Sequence, residues 1–231
     1  MNIKNSVVIV TGASMGIGLA VARELSSRGA KVVLAARSAE TLAKLEKEIP
    51  SSFAVPTDMR KPEDIKNLIE KTKEKFGRID ILINNAGQGL FAPVEEINID
   101  DYTAIMELNV FAVVRAMQAV IPIMRKQGGG MILNVSSMVS KNYFPEMAAY
   151  SSTKYALNAI TLTARKELEK DHIVVSAFHP KMTATDFGKN TRGEKYSSLQ
   201  RDNPDMIVDT SEAVAKAIAE QIESEAAEAM M

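Results

Sequence analysis

Residues 7–29 read VVIVTGASMGIGLAVARELSSRG. The β-branched run Val7–Val10 predicts a strand, the following pattern predicts a helix over about 17–28, and the run Lys31–Ala35 predicts a second strand. Gly12, Gly16 and Gly18 stand between the first strand and the helix. Glycines at such a turn let backbone N–H groups approach a pyrophosphate, and the helix N-terminus adds a favourable partial charge. The same glycines also suit a tight βα turn that needs them only for packing. The strand–turn–helix–strand frame favours the nucleotide reading.

Outward from this unit the alternation continues. Phe53–Pro56, Ile79–Ile83, Met131–Val135 and His172–Phe178 read as strands, and 39–49, 62–76, 100–127, 150–170 and 211–227 read as helices. Alternation of this kind predicts parallel pairing through right-handed crossovers. Several strands are apolar on both faces, as a sheet covered by helices on each side requires. The expected fold is therefore an α/β, doubly wound parallel sheet of Rossmann type, one domain over residues 1–231. Pro122 predicts a kink or break within 100–127, and the glycines at 128–130 a C-cap turn. The stretch 183–209 has little periodicity and is expected to be a substrate lid.

Composition narrows the function. Of 231 residues, 46% are apolar and 25% charged, and the net charge is −1. No basic field favours nucleic acid or an anionic membrane surface. Without cysteine there is no disulfide or thiolate site, and with only His172 and His179 no metal site is expected. The N-terminal apolar stretch is interrupted by Thr11, Ser14 and the glycines, and VFAVVRAMQAVIPIM carries Arg115. Neither reads as a leader or a membrane span, so a soluble cytoplasmic protein is expected.

Three motifs now stand in order: TGASMGIG, with spacing G-x-x-x-G-x-G after threonine; NNAG at 84–87; and Tyr150 with Lys154, a Y-x-x-x-K pair. Together, over roughly residues 5–225, they resemble the short-chain dehydrogenase/reductase family. The resemblance implies an NAD(P)-dependent oxidoreductase interconverting an alcohol and a ketone or aldehyde, a small-molecule substrate. Asn109, Ser137, Tyr150 and Lys154 fill the family's catalytic positions. A spacing of four puts Tyr150 and Lys154 on one helix face. A nearby ammonium favours the phenolate and lowers a tyrosine pKa that is otherwise near 10. Ser136 competes with Ser137, but the thirteen-residue separation from Tyr150 and the strand alternation favour Ser137. Asn109 falls mid-helix, where relatives use asparagine to kink the helix and hold a water of the proton relay.

For the cofactor, the resemblance assigns Gly12, Ser14, Gly16, Ile17, Gly18, Asp58 (adenine), Asn85, Ala86, Gly87, Tyr150, Lys154, Pro180 and Thr185. At the end of the second strand Ala36 stands where NAD-selective relatives carry Asp, and Arg37 follows. An arginine can grip a 2′-phosphate, so NADP(H) is expected to be preferred over NAD(H). Two departures matter. Lys181 replaces the glycine usual after Pro180, which unsettles the lid path if that position needs glycine's backbone angles. The seventh strand is expected to be very short or missing, and the Asp-Gly-Gly signature of ketoacyl-type reductases is absent. His179 is expected to be a packing residue at the strand end. Gln88, Met138, Tyr143, Phe144, Met147 and Met182 are candidate pocket walls. The helices at 100–127 and 150–170 suggest a homodimer, possibly a homotetramer. The alternative reading is a non-catalytic dinucleotide-binding regulator on the same fold.

Overall fold

The computed structural model describes residues 1–192 and 208–231. Seven strands form one fully parallel sheet in the order β3-β2-β1-β4-β5-β6-β7. They are β1 (Val7–Thr11), β2 (Lys31–Ala36), β3 (Ser52–Pro56), β4 (Ile81–Asn84), β5 (Gly130–Val135), β6 (Ile173–His179) and β7 (Glu228–Met230). Among the described residues the α-helices are α1 (Gly16–Ser27), α2 (Ala39–Glu48), α3 (Pro62–Phe76), α4 (Ile99–Met106), α5 (Ala112–Lys126), α6 (Ala148–Leu168) and α7 (Ser211–Ser224). The order reverses beside β1, between β2 and β4, and the C-terminal strand ends there open the crevice in which such sheets bind ligands.

Alternation along the strands explains why both faces are apolar. Val8 and Val10 of β1, with Val32, Leu34, Ile81 and Ile83, pack under α1, α2 and α7. Ile9, with Val33, Leu82 and Ile132, packs under α3, α5 and α6. A side-chain period of two sends neighbours to opposite cores, so a sheet buried on both sides reads as an unbroken apolar run. The seventh strand exists and is three residues long, pairing Ala177–His179 with Glu228–Met230.

The expected interruption of the 100–127 helix lies elsewhere than at Pro122. α5 runs through Pro122, and the break is a π-helical turn at Glu107–Phe111, between α4 and α5. Pro122 and Gln118 are both exposed, so the carbonyl that proline leaves unpaired meets water and the helix continues. The glycine turn is as expected: Gly128 and Gly129 take positive φ after α5, and Gly130 opens β5. The run Ile99–Lys126 is long and apolar enough to cross a membrane by length and composition. Much of that apolarity serves the sheet, since Ala112, Val113, Ala116, Met117, Val120 and Met124 are buried in the second core.

Candidate active site

The glycine turn is built by close approach. Gly12 has φ 68° and Gly16 φ 54°, left-handed values that favour glycine. A Cβ on Gly18 would stand 2.3 Å from the Gly12 carbonyl oxygen and 2.5 Å from Asn85 Nδ2. Asn85 braces this turn: its Nδ2 donates to the Thr11 carbonyl at 2.9 Å, while Thr11 Oγ1 accepts from the Asn85 and Ala86 N–H groups at 3.0 and 3.1 Å. α1 starts at Gly16 with no side chain capping its N–H groups. Bare, converging N–H groups behind three glycines are a cradle shaped for a pyrophosphate, and Ser14 and Ile17 lie on the same turn. The residues present therefore fit a dinucleotide.

At the adenosine end, Ala36 closes β2, Arg37 is exposed and Ser38 caps α2 by accepting the Thr41 N–H. Asp58 is gripped by Arg60, whose Nε and Nη2 donate to its two carboxylate oxygens at 3.0 and 2.7 Å. That grip holds the Asp58 carboxyl below its ordinary range, with Arg37 adding a weaker pull. Arg60 was not among the sequence candidates; its position two residues past Asp58 was the available signal.

The candidate catalytic residues lie on and around α6. Tyr150 is buried, its ring centroid 6.4 Å from Phe91 and 5.7 Å from Phe187. Lys154, one turn on, is 5% exposed, donates from Nζ to the Val135 carbonyl at 2.9 Å and lies 5.8 Å from the Tyr150 ring centroid. Burial lowers its pKa to about 8. Ser136 and Ser137 separate cleanly. The buried Ser136 hydroxyl donates to Asn158 Oδ1 at 2.6 Å, whereas Ser137 is half-buried and its Oγ accepts the Val139 N–H at 3.3 Å. Ser137 thus keeps its hydroxyl proton without an acceptor among the described residues.

Asn109 lies inside the π-helical turn and is buried. Its side chain clasps one residue from both sides, accepting from the Gln88 N–H at 2.9 Å and donating to the Gln88 carbonyl at 2.8 Å. It also donates to Thr153 Oγ1 at 3.1 Å, tying the loop after NNAG to α6. A Cβ on Gly87 would stand 3.3 Å from Asn109 Oδ1 and 3.7 Å from Lys154 Nζ, so glycine keeps this junction open.

Pro180 and Thr185 also reach the cleft. The Pro180 carbonyl accepts the Met138 N–H at 3.1 Å, and a Cβ on Gly16 would touch Thr185 Cγ2 at 3.2 Å. Lys181 does not sit at positive φ, so lysine replaces glycine there without backbone strain and that concern is removed. Of the expected lid, 193–207 lies outside the described residues. Its flanks are tied: Met182 and Ala184 pair with Asp209, and Arg192 pairs with Gly89 and Phe91. Gln88 Nε2 donates to the Asn190 carbonyl at 2.6 Å, and the Arg192 guanidinium pairs with Asp101 of α4. Among the expected pocket walls, Tyr143 is 87% exposed and its ring stacks on Tyr155, 5.7 Å between centroids. Phe91, Phe187 and Arg192 border the cleft and were missed; Phe187, two residues past Thr185, carried the one local hint.

His179 is buried as expected, but it also makes polar contacts. Nε2 stands 2.9 Å from Glu228 Oε1 and Nδ1 3.2 Å from Ser140 Oγ. Among the described residues no group of acidic, histidine or cysteine side chains could hold a metal ion.

Comparison with known proteins agrees with this arrangement. The family model described as short chain dehydrogenase matches residues 6–195. An uncharacterized oxidoreductase of Staphylococcus saprophyticus is 41% identical over 168 residues, 72% of this chain and 68% of the relative. Among solved structures, an alcohol dehydrogenase from the archaeon Thermococcus sibiricus, complexed with 5-hydroxy-NADP, superposes with a TM-score of 0.87 at 28% identity, covering 99% of this chain and 96% of that one. A 3-ketoacyl-(acyl-carrier-protein) reductase from Brucella melitensis, complexed with NADH, gives a TM-score of 0.89 at 27% identity, covering 99% and 98%. The chain belongs to the short-chain dehydrogenase family of oxidoreductases, whose fold binds an NAD(P) dinucleotide and whose members act on small molecules.

Proposed function

We propose that this chain is an NADP(H)-dependent oxidoreductase that interconverts an alcohol and a ketone or aldehyde, with Tyr150 as general acid and base. The observation that carries the reading is the burial of Tyr150 and Lys154 together on one turn of α6, with the Ser137 hydroxyl proton left without an acceptor among the described residues. Gly12, Ser14, Gly16, Ile17 and Gly18 would hold the pyrophosphate, Asp58 the adenine, and Asn85, Ala86, Gly87, Pro180 and Thr185 the ribose and nicotinamide end. When bound, the nicotinamide supplies or accepts the hydride.

The side chains handle the proton. In reduction Tyr150 Oη protonates the carbonyl oxygen, and Ser137 Oγ donates a hydrogen bond to that oxygen, stabilising its developing charge. The phenolate left behind stands near the Lys154 ammonium, which at this depth donates to the Val135 carbonyl. Opposite charges in a dry site attract strongly, so each offsets the other's desolvation. In oxidation the phenolate removes the alcohol proton. Asn109 steadies Gln88 and the adjoining cleft wall.

NADP(H) preference rests on Ala36 and Arg37: Ala36 brings no carboxylate to repel a 2′-phosphate, and the exposed Arg37 guanidinium has no ion pair among the described residues. The tied flanks around 183–192 and 208–209 support a substrate lid. Ile99 and Phe111 are large apolar side chains left exposed along the run Ile99–Lys126, which supports a homodimer through α4, α5 and α6.

The test is NADPH consumption over ketones, aldehydes, quinones, sugars and acyl-thioesters. At least one class is expected to turn over, and Tyr150→Phe is expected to slow it by about 100-fold or more while NADPH still binds. Tyr150→Phe turnover within a few-fold of wild type would defeat the role given to Tyr150. NADPH binding with no turnover of any class would favour the non-catalytic regulator.

A further inference from the structure

A count of protons around Ser140 leads from the C-terminal strand to Ser137. Ser140 Oγ is buried and has four polar neighbours: the Ser137 carbonyl at 2.6 Å, Asn158 Nδ2 at 2.8 Å, His179 Nδ1 at 3.2 Å and Ser136 Oγ at 3.3 Å. A serine hydroxyl has one proton to give and two lone pairs. Ser136 gives its own proton to Asn158 Oδ1, and Asn158 gives one of its own to Ser140. The Ser140 proton therefore has three acceptors within reach, the Ser137 carbonyl, His179 Nδ1 and, farthest, Ser136 Oγ, and the first two are the ones that the state of the imidazole can set against each other.

The other side of the imidazole decides between them. Nε2 stands 2.9 Å from Glu228 Oε1, and Lys141 Nζ stands 2.6 Å from the same oxygen. Lys141 holds the Glu228 carboxyl below its ordinary range, so Glu228 is ionised and accepts only. Nε2 must then carry a proton in either charge state. A neutral ring has its proton on Nε2, leaving Nδ1 to accept from Ser140. A charged ring donates from both nitrogens; Nδ1 stands 3.5 Å from the Ser137 carbonyl and closer, 3.2 Å, to Ser140 Oγ, so Nδ1–H fills the second lone pair of Ser140, and the Ser140 hydroxyl turns to the Ser137 carbonyl.

We propose that Ser140 and His179 are positioning residues for Ser137: the single Ser140 proton binds the Ser137 carbonyl when both ring nitrogens of His179 carry protons, and binds Nδ1 when only Nε2 does. Glu228, on β7, sets which nitrogen that is. The Ser137 carbonyl keeps the Ser140 N–H at 3.0 Å in both states, so the turn does not unfold; it gains or loses one hydrogen bond. The charged groups acting on the ring are Glu228 from β7 and Lys141 just past the turn. Burial above all lowers the His179 pKa, so the charged state belongs to the acid side of the ordinary histidine range. The proposal that this matters to turnover rests on the catalytic reading of Ser137.

The test separates the two. In a His172→Gln background His179 is the only histidine, and its ring titration is followed by NMR together with the 13C shift of the Ser137 carbonyl. The carbonyl shift is expected to follow the ring with the same midpoint. Glu228→Gln removes the charge that favours imidazolium and is expected to move both midpoints down together. Ser140→Ala is expected to leave the ring titrating while the carbonyl response shrinks to what the longer, direct Nδ1 contact gives. A carbonyl flat through the His179 titration, or one responding undiminished in Ser140→Ala, would overturn the proposal. In kcat, an inflection at the same midpoint, about 2- to 12-fold in size as for one hydrogen bond, is expected in wild type and reduced in Ser140→Ala. Coupled spectra without that inflection would leave the positioning intact and overturn the part given to Ser137 in the reaction.

Discussion

Lys154→Met exchanges a buried ammonium for an apolar side chain of similar length, and its effect on stability follows from the depressed pKa. The folded protein holds Lys154 with a pKa of about 8 against an ordinary 10.5, the cause being burial. Between these values the unfolded chain binds more protons than the folded one, so wild-type stability rises as pH climbs from about 8 toward 10.5. Below pH 8 both states are charged and the full penalty stands. At 1.36 kcal/mol for each unit, the penalty at pH 7 is about 3 kcal/mol, falling to a few tenths at pH 10.5. Lys154→Met also loses the buried bond to the Val135 carbonyl, at a cost of about 1–3 kcal/mol that does not vary with pH.

Urea unfolding without cofactor, at steps from pH 7 to 10, measures the difference between the two proteins. The variant is expected to lose about 2.5 kcal/mol relative to wild type across that range, whatever their order at pH 7. Parallel stability curves would refute the claim that Lys154 is charged and desolvated in the folded state. The variant should also have little activity, since a site that holds a charge where the fold disfavours it trades stability for function.

Other perturbations follow from the same geometry. Gly18→Ala places a methyl group against the Gly12 carbonyl, 2.3 Å away; loss of NADPH binding in calorimetry and about 1–3 kcal/mol of stability are expected. Ser137→Ala should lower kcat about 100-fold or more, whereas Ser136→Ala should keep kcat within a few-fold and lower the unfolding midpoint. Arg37→Ala should narrow the NADPH-over-NADH ratio of kcat/KM by about 10-fold, the share of one charge-assisted phosphate contact; an unchanged ratio would remove Arg37 from cofactor selection.

The sheet was legible because its signal is local: β-branched runs such as Val7–Val10 and Lys31–Ala35 alternate with helical periods. The glycine turn was legible because positive φ at Gly12 and Gly16 demands a particular residue. Asn109, Ser137, Tyr150 and Lys154 are candidates singled out through spacing and resemblance. What escaped was long-range. Pro122 carries a strong local break signal, yet solvent satisfies the freed carbonyl, and the helix opens at Glu107–Phe111, where Asn109 clasps Gln88. His179 read as packing because nothing near it in sequence announces Glu228, 49 residues on. Arg192 reaches Asp101 across 91 residues, and no local pattern encodes such a pair.

The central claim is carbonyl reduction with a proton from Tyr150 and hydride from NADPH. NADPH deuterated at the transferring position, incubated with the substrate class that the consumption screen identifies, tests it by mass spectrometry of the product. One deuterium on the carbinol carbon with wild type, and an initial rate of product formation at least about 100-fold lower with Tyr150→Phe, is the expected result. An alcohol lacking that deuterium, or formed equally fast by Tyr150→Phe, would contradict it.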